Sequence, residues 1–143
     1  MHRSSITFLT LRVVLALIGI AIIFLGLNVG LGGIRTLGWQ GPLDFLAVVD
    51  TSVFNAQDNH VRFLGGVWLG VGLLFFTSAF AFSNFKAILL ALCMLIFVGG
   101  LSRFSVMEAS VIFSASIAPS LFAELILFPL LGLWIARTAS AKA

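Results

Sequence analysis

Val13-Val14-Leu15-Ala16-Leu17-Ile18-Gly19-Ile20-Ala21-Ile22-Ile23-Phe24-Leu25-Gly26-Leu27-Asn28-Val29-Gly30-Leu31 carries no charged side chain and a single amide. About 20 apolar residues at roughly 1.5 Å each cross a hydrocarbon core about 30 Å thick, so this stretch reads as a membrane-spanning helix. Working outward, three further apolar runs appear at 61–82, 87–104 and 117–136, and the first span is taken as 13–31. The third run is short before Arg103, so it is expected to continue past that arginine. Backbone groups in lipid must pair internally and no strict two-residue alternation is present, so the spans are helices and not barrel strands.

The composition agrees. Of 143 residues, 61% are hydrophobic and 9% charged, and the mean hydropathy is +1.20. Soluble domains run at about 45–50% apolar and about 25% charged, so a water-soluble globule is excluded. The sequence pI of 10.0 rests on a net charge of only +3, without a Lys/Arg block, so no nucleic-acid partner is implied. The lone cysteine, Cys93, allows no intramolecular disulfide. The expected fold class is all-α: an integral membrane four-helix bundle forming one domain over 1–143. The first run is longer than the h-region of a cleaved leader, so it is expected to be retained.

Ser83-Asn84-Phe85-Lys86 is the only link between the second and third spans, which makes them an antiparallel hairpin. Arg3, Arg12, Lys86, Arg137 and Lys142 collect on one side, and Arg35, Arg62 and Arg103 on the other. The positive-inside rule then places both termini in the cytoplasm of a bacterial inner membrane. The long outer first loop opens with Gly41-Pro42, and its interleaved Leu43, Phe45, Leu46, Val48, Val49 and Val53 predict a short interfacial helix over 42–53. Trp39, Trp68 and Trp134 read as interface anchors or core.

The rare charges carry the most information. Span two opens with Asp58-Asn59-His60-Val61-Arg62, span three closes with Gly99-Gly100-Leu101-Ser102-Arg103, and span four opens with Pro119 and then Glu124. Glu124 lies about 7 Å into the helix beyond Pro119. A charge at the bilayer centre costs about 2.5–3.5 kcal/mol, so such a residue faces the bundle and finds a partner. Arg62 and Arg103 are the natural partners, because a planar guanidinium binds a carboxylate bidentately. An Arg62–Glu124–Arg103 cluster is expected at the outer mouth, rimmed by Asp58, Asn59, His60 and Glu108. It either fixes helix register or lines a cavity for a lipid, an anion or a small solute.

Gly65, Gly66, Gly70, Gly99 and Gly100 are expected to let helices approach closely, either within the chain or across a homo-oligomer interface. Pro129 is expected to kink span four. No P-loop, GxSxG, HExxH or CxxCH occurs, and no metal-ligand spacing or cofactor motif is present, so no enzyme is expected. Four spans, a long first loop and Leu37-Gly38-Trp39 suggest claudins, but the loop lacks their two cysteines.

Asn59-His60-x-Arg62-Phe63-x-Gly65-Gly66-x-x-x-Gly70 and Gly99-Gly100-x-x-Arg103-x-Ser105, followed by Pro119 and Glu124, resemble a small four-helix bacterial inner-membrane family catalogued as a domain of unknown function. The resemblance extends to its ciprofloxacin-tolerance (AciT-type) members. It implies support of the envelope permeability barrier or membrane gradient, and stress or antibiotic tolerance. The rival functions are a channel or transporter for a small ion or solute, and an accessory subunit of a membrane complex.

Overall fold

The computed structural model describes residues 2–38, 47–106 and 108–138, with side chains omitted at 2–5 and 106. Every regular element among them is helical. Four helices are long and apolar enough to cross a membrane, Ile6–Arg35, Thr51–Ser78, Phe82–Ser105 and Ala118–Arg137, which makes this a multi-pass membrane protein. The chain folds as two compact units, Met1–Phe80 and Ala81–Ala143.

The first unit is a hairpin of α1 (His2–Gly32) and α2 (Thr51–Ser78), with a 3₁₀ turn Gly33–Arg35 closing α1. Along α1 the buried positions Leu11, Leu15, Gly19, Ile22 and Gly26 recur at intervals of three or four, the seam of a packed helix pair, with Asn28 buried beside its end. Glycine sets its depth. A Cβ on Gly19 would stand 2.5 Å from the backbone nitrogen of Phe76, and one on Gly26 would stand 2.6 Å from the Cα of Leu69. Gly65 abuts the backbone of Gly30, and a Cβ on Gly72 would meet the backbone nitrogen of Ile23 at 2.6 Å. Seven residues forward on α1, from Gly19 to Gly26, is seven back on α2, from Phe76 to Leu69. The next four bring Gly30 to Gly65. The pair is therefore antiparallel and in backbone contact, the arrangement small residues permit in lipid.

Two boundaries differ from expectation. Helix α2 starts at Thr51 and not near residue 61, because the Asp50 carboxylate accepts hydrogen bonds from the backbone N–H of Ser52 (2.9 Å) and Val53 (3.0 Å). That N-cap starts the helix ten residues early and brings Asp58, Asn59 and His60 inside it. The interfacial helix expected over 42–53 is corrected accordingly. Its last residues are the first turn of α2, Ala47–Asp50 are not helical, and 39–46, including Trp39, lie outside the described residues. Helix α2 then ends at Ser78. Phe80 N–H bonds to the Thr77 carbonyl (3.0 Å), and α3 begins at Phe82. Lys86 thus lies inside α3 and not in a link.

The second unit contains α3 (Phe82–Ser102), a 3₁₀ turn Arg103–Val106, the short α4 (Ala109–Ile112), α5 (Ala118–Phe122), a π-turn Ala123–Leu127 and α6 (Phe128–Arg137). The last three elements form one continuous span. Its irregularity falls just ahead of Pro129, where Phe128 N–H bonds to the Ala123 carbonyl, five residues back. Proline has no N–H to offer the carbonyl four residues before it, and a wider turn absorbs the mismatch.

Candidate functional site: charged clasps at the helix ends

Two clusters of charge occupy helix ends, one in each unit. In the second unit, Arg103 follows the last turn of α3 and Glu124 stands on the π-turn. Arg103 Nε donates to Glu124 Oε2 at 2.6 Å, and its terminal nitrogen donates to Oε1 at 2.6 Å. This is the parallel, two-bond recognition that a guanidinium fork makes with a carboxylate. The Glu124 side chain keeps 10% of its surface exposed, and that of Arg103 keeps 39%. Gly100 makes the approach possible, since a Cβ there would lie 2.8 Å from the Glu124 Cβ and 2.9 Å from Leu125 Cδ2.

In the first unit, Arg62 and Asp58 stand one turn apart on α2, with Arg62 Nε donating to Asp58 Oδ2 at 2.6 Å. Both reach across to the end of α1. The Arg62 guanidinium donates to the carbonyl oxygens of Leu31 and, at 3.4 Å, Gly32. The other Asp58 oxygen accepts the Ile34 N–H at 2.8 Å. Gly33 passes directly over that carboxylate at φ +68°, a conformation and a clearance that only glycine provides without strain. The last carbonyls of α1 have no partners within the helix, and a cation near them also meets the negative end of the helix dipole. Asn28, fully buried, extends the clasp by accepting the Leu37 N–H at 2.9 Å. Its Nδ2 has no partner among the described residues.

The opposite ends follow the same rule. Arg12 of α1 donates through Nε to the Ala79 carbonyl just past the end of α2. In the second unit, Lys86 of α3 donates to the carbonyls of Ala136 (3.1 Å) and Thr138 (2.6 Å) at the end of α6. Arg12, Arg62 and Lys86 therefore each cap the C-terminus of the neighbouring helix.

Of the residues expected to meet, the structure joins Arg103 to Glu124 and gives Arg62 to Asp58 and α1. Asn59 and His60 are exposed on α2. Glu108 is exposed beside α4 and accepts the Ser110 hydroxyl at 2.8 Å. Among the expected packing glycines, Gly65 and Gly100 are in tight contact. Gly66, Gly70 and Gly99 are not: a Cβ on any of them would meet nothing within 4 Å. The close face of α2 carries Gly65 and Gly72, seven apart, and the Gly66-x-x-x-Gly70 pair lies outside that contact. Asn28 and the Arg12 and Lys86 caps were not anticipated. The signal for Asn28 was available, as the only polar side chain within 13–31.

The second unit also has an apolar groove of about 480 Å³ between α3 and α6, with Leu90 and Phe97 on one wall and Pro129 and Leu133 on the other. Neither Arg103 nor Glu124 lines it.

A family model described as a domain of unknown function (DUF4345) matches residues 10–135. No curated protein and no solved structure matches the chain.

Proposed function

The chain belongs to the DUF4345 family, and on that premise we propose that it is a small inner-membrane protein that supports the permeability barrier or membrane gradient and, through it, stress and antibiotic tolerance. In this reading both termini are cytoplasmic, and the chain stands with the AciT-type members of its family. One observation carries the reading. Arg12, Arg62 and Lys86 close neighbouring helix ends, and Arg103 pairs with Glu124. Charges held this way satisfy polar groups that would otherwise be bare in lipid, which suits a part that seals a bilayer better than one that conducts across it.

Deleting the gene from its own host tests this. The expected result is depolarisation, read with a potential-sensitive dye, together with lowered ciprofloxacin tolerance. Both should be restored by the wild-type chain and not by Glu124→Ala at matched expression. Unchanged potential and tolerance would remove the reading. Flux of a small ion into proteoliposomes that Arg62→Ala abolishes would replace it with the transporter reading.

A further inference from the structure

We propose that the α3–α6 groove is a binding site for one molecule of an anionic phospholipid, with an acyl chain in the groove and the phosphate held by Lys86 and Arg137. The inference is independent of the tolerance role.

The walls are two matched helix faces. Leu90, Met94 and Phe97 line the α3 side, and Pro129, Gly132 and Ala136 line the α6 side. Spacings of three, four and seven on both helices make the groove run along the helix axes, for about 10 Å on α3 between Leu90 and Phe97. Its floor is lowered by Gly132, where a Cβ would sit 3.4 Å from the Cβ of Cys93. At about 480 Å³ it falls within the roughly 300–1,000 Å³ of small-ligand sites. An apolar trough of this shape fits a hydrocarbon chain.

The charge at one end selects the headgroup. Lys86 lies one turn before Leu90 on the same face of α3, and its bond to the Ala136 carbonyl holds the ammonium at the end of the groove. Two of its three N–H donors go to carbonyls, which leaves one. Arg137 directly follows Ala136, is exposed, and makes no hydrogen bond to any described residue. An ammonium with one donor left over at the Ala136 end of an apolar groove, and an exposed arginine next in the chain with no partner among the described residues, supply the cations that an acidic lipid headgroup requires. A zwitterionic lipid would bring its own cation against these two.

The full-length protein, purified in a mild non-ionic detergent, is titrated with dioleoylphosphatidylglycerol and, separately, dioleoylphosphatidylcholine, and binding is read by native mass spectrometry. Phosphatidylglycerol is expected to bind at least about fivefold more tightly, the effect of about one interfacial cation. Arg137→Gln is expected to remove most of that preference while leaving phosphatidylcholine unchanged. Gly132→Leu, which fills the groove floor, is expected to weaken the tightest site for both lipids. Equal affinity of the two lipids overturns the proposal, as does a preference that survives Arg137→Gln. Should Gly132→Leu not fold, the wild type decides the groove: a phosphatidylglycerol with a diazirine in its acyl chain should label the peptides covering residues 90–97 and 129–136. Unlabelled lipid should compete that labelling away. Labelling spread evenly over all four spans, without competition, overturns the assignment of the chain to the groove.

Discussion

Arg103 delivers two nitrogens to the two carboxylate oxygens of Glu124, each at 2.6 Å, and so joins the end of α3 to the π-turn that leads into α6. Breaking a fully buried pair by removing one partner typically costs about 3–5 kcal/mol, because the remaining charge is stranded; here Glu124 is buried but Arg103 keeps 39% of its side chain exposed, which puts the pair at the lower end. Arg103→Ala is therefore expected to lower unfolding stability in detergent by about 3 kcal/mol. Arg103→Lys should recover only part of that loss, since an ammonium cannot make both bonds. Equal stability of the alanine and wild-type proteins would contradict the pairing.

The glycines separate into two groups with opposite expectations. Gly26→Leu or Gly65→Leu forces side chain into backbone and is expected to cost about 1–3 kcal/mol or more, read as lost folded yield in fluorescence-detected size-exclusion chromatography. Gly66→Leu and Gly70→Leu place their side chains in open space and should fold as the wild type does. A similar loss from all four would mean that the face carrying Gly66 and Gly70 is also occupied.

Arg62 and Asp58 should differ in importance although they touch. An exposed i,i+4 ion pair contributes about 0.3–0.5 kcal/mol, and Asn at 58 still offers an oxygen to the Ile34 N–H, so Asp58→Asn should be mild. Arg62→Met strips the Leu31 and Gly32 carbonyls as well, at about 0.5–1.5 kcal/mol for each hydrogen bond. Hydrogen exchange at Ile34 is expected to accelerate several-fold in Arg62→Met and much less in Asp58→Asn. The reverse order would show that the pair, and not the cap, holds the end of α1.

Lys86→Met is expected to fray the last turn of α6, seen as faster exchange over 134–138, while Lys86→Arg preserves protection because it still donates to the Ala136 and Thr138 carbonyls. Unaltered exchange in Lys86→Met would remove the cap from consideration.

The four helices were legible in composition and run length alone, because a bilayer leaves few alternatives for uninterrupted apolar residues. The start of α2 carries a sequence signal too, since Asp50 followed by Thr51, Ser52 and Val53 is an N-cap, but the helix it starts runs ten polar-rich residues ahead of the apolar stretch, which run length alone does not register. Arg62 with Asp58 obeys the i,i+4 rule and needs no tertiary knowledge. Arg103 was one of the two partners expected for Glu124, but the two-bond register of that pair and the choice of Gly65 over Gly66 could not be read. Both depend on which face of a helix meets its neighbour, and an apolar span shows little difference between its faces in sequence. Complete burial, at 0% exposure, separates Leu11, Leu15, Phe75, Leu89 and Ile135 from equally apolar neighbours only after packing.

Arg12, Arg62 and Lys86 each protect a helix other than their own. The integrity of an end of α1 is thus written in α2, that of α2 in α1, and that of α6 in α3. A span released alone would lack the cap that its neighbour supplies, whereas each pair brings that cap with it. Each two-helix pair is accordingly a natural unit of insertion, and biogenesis is expected to proceed in two such steps.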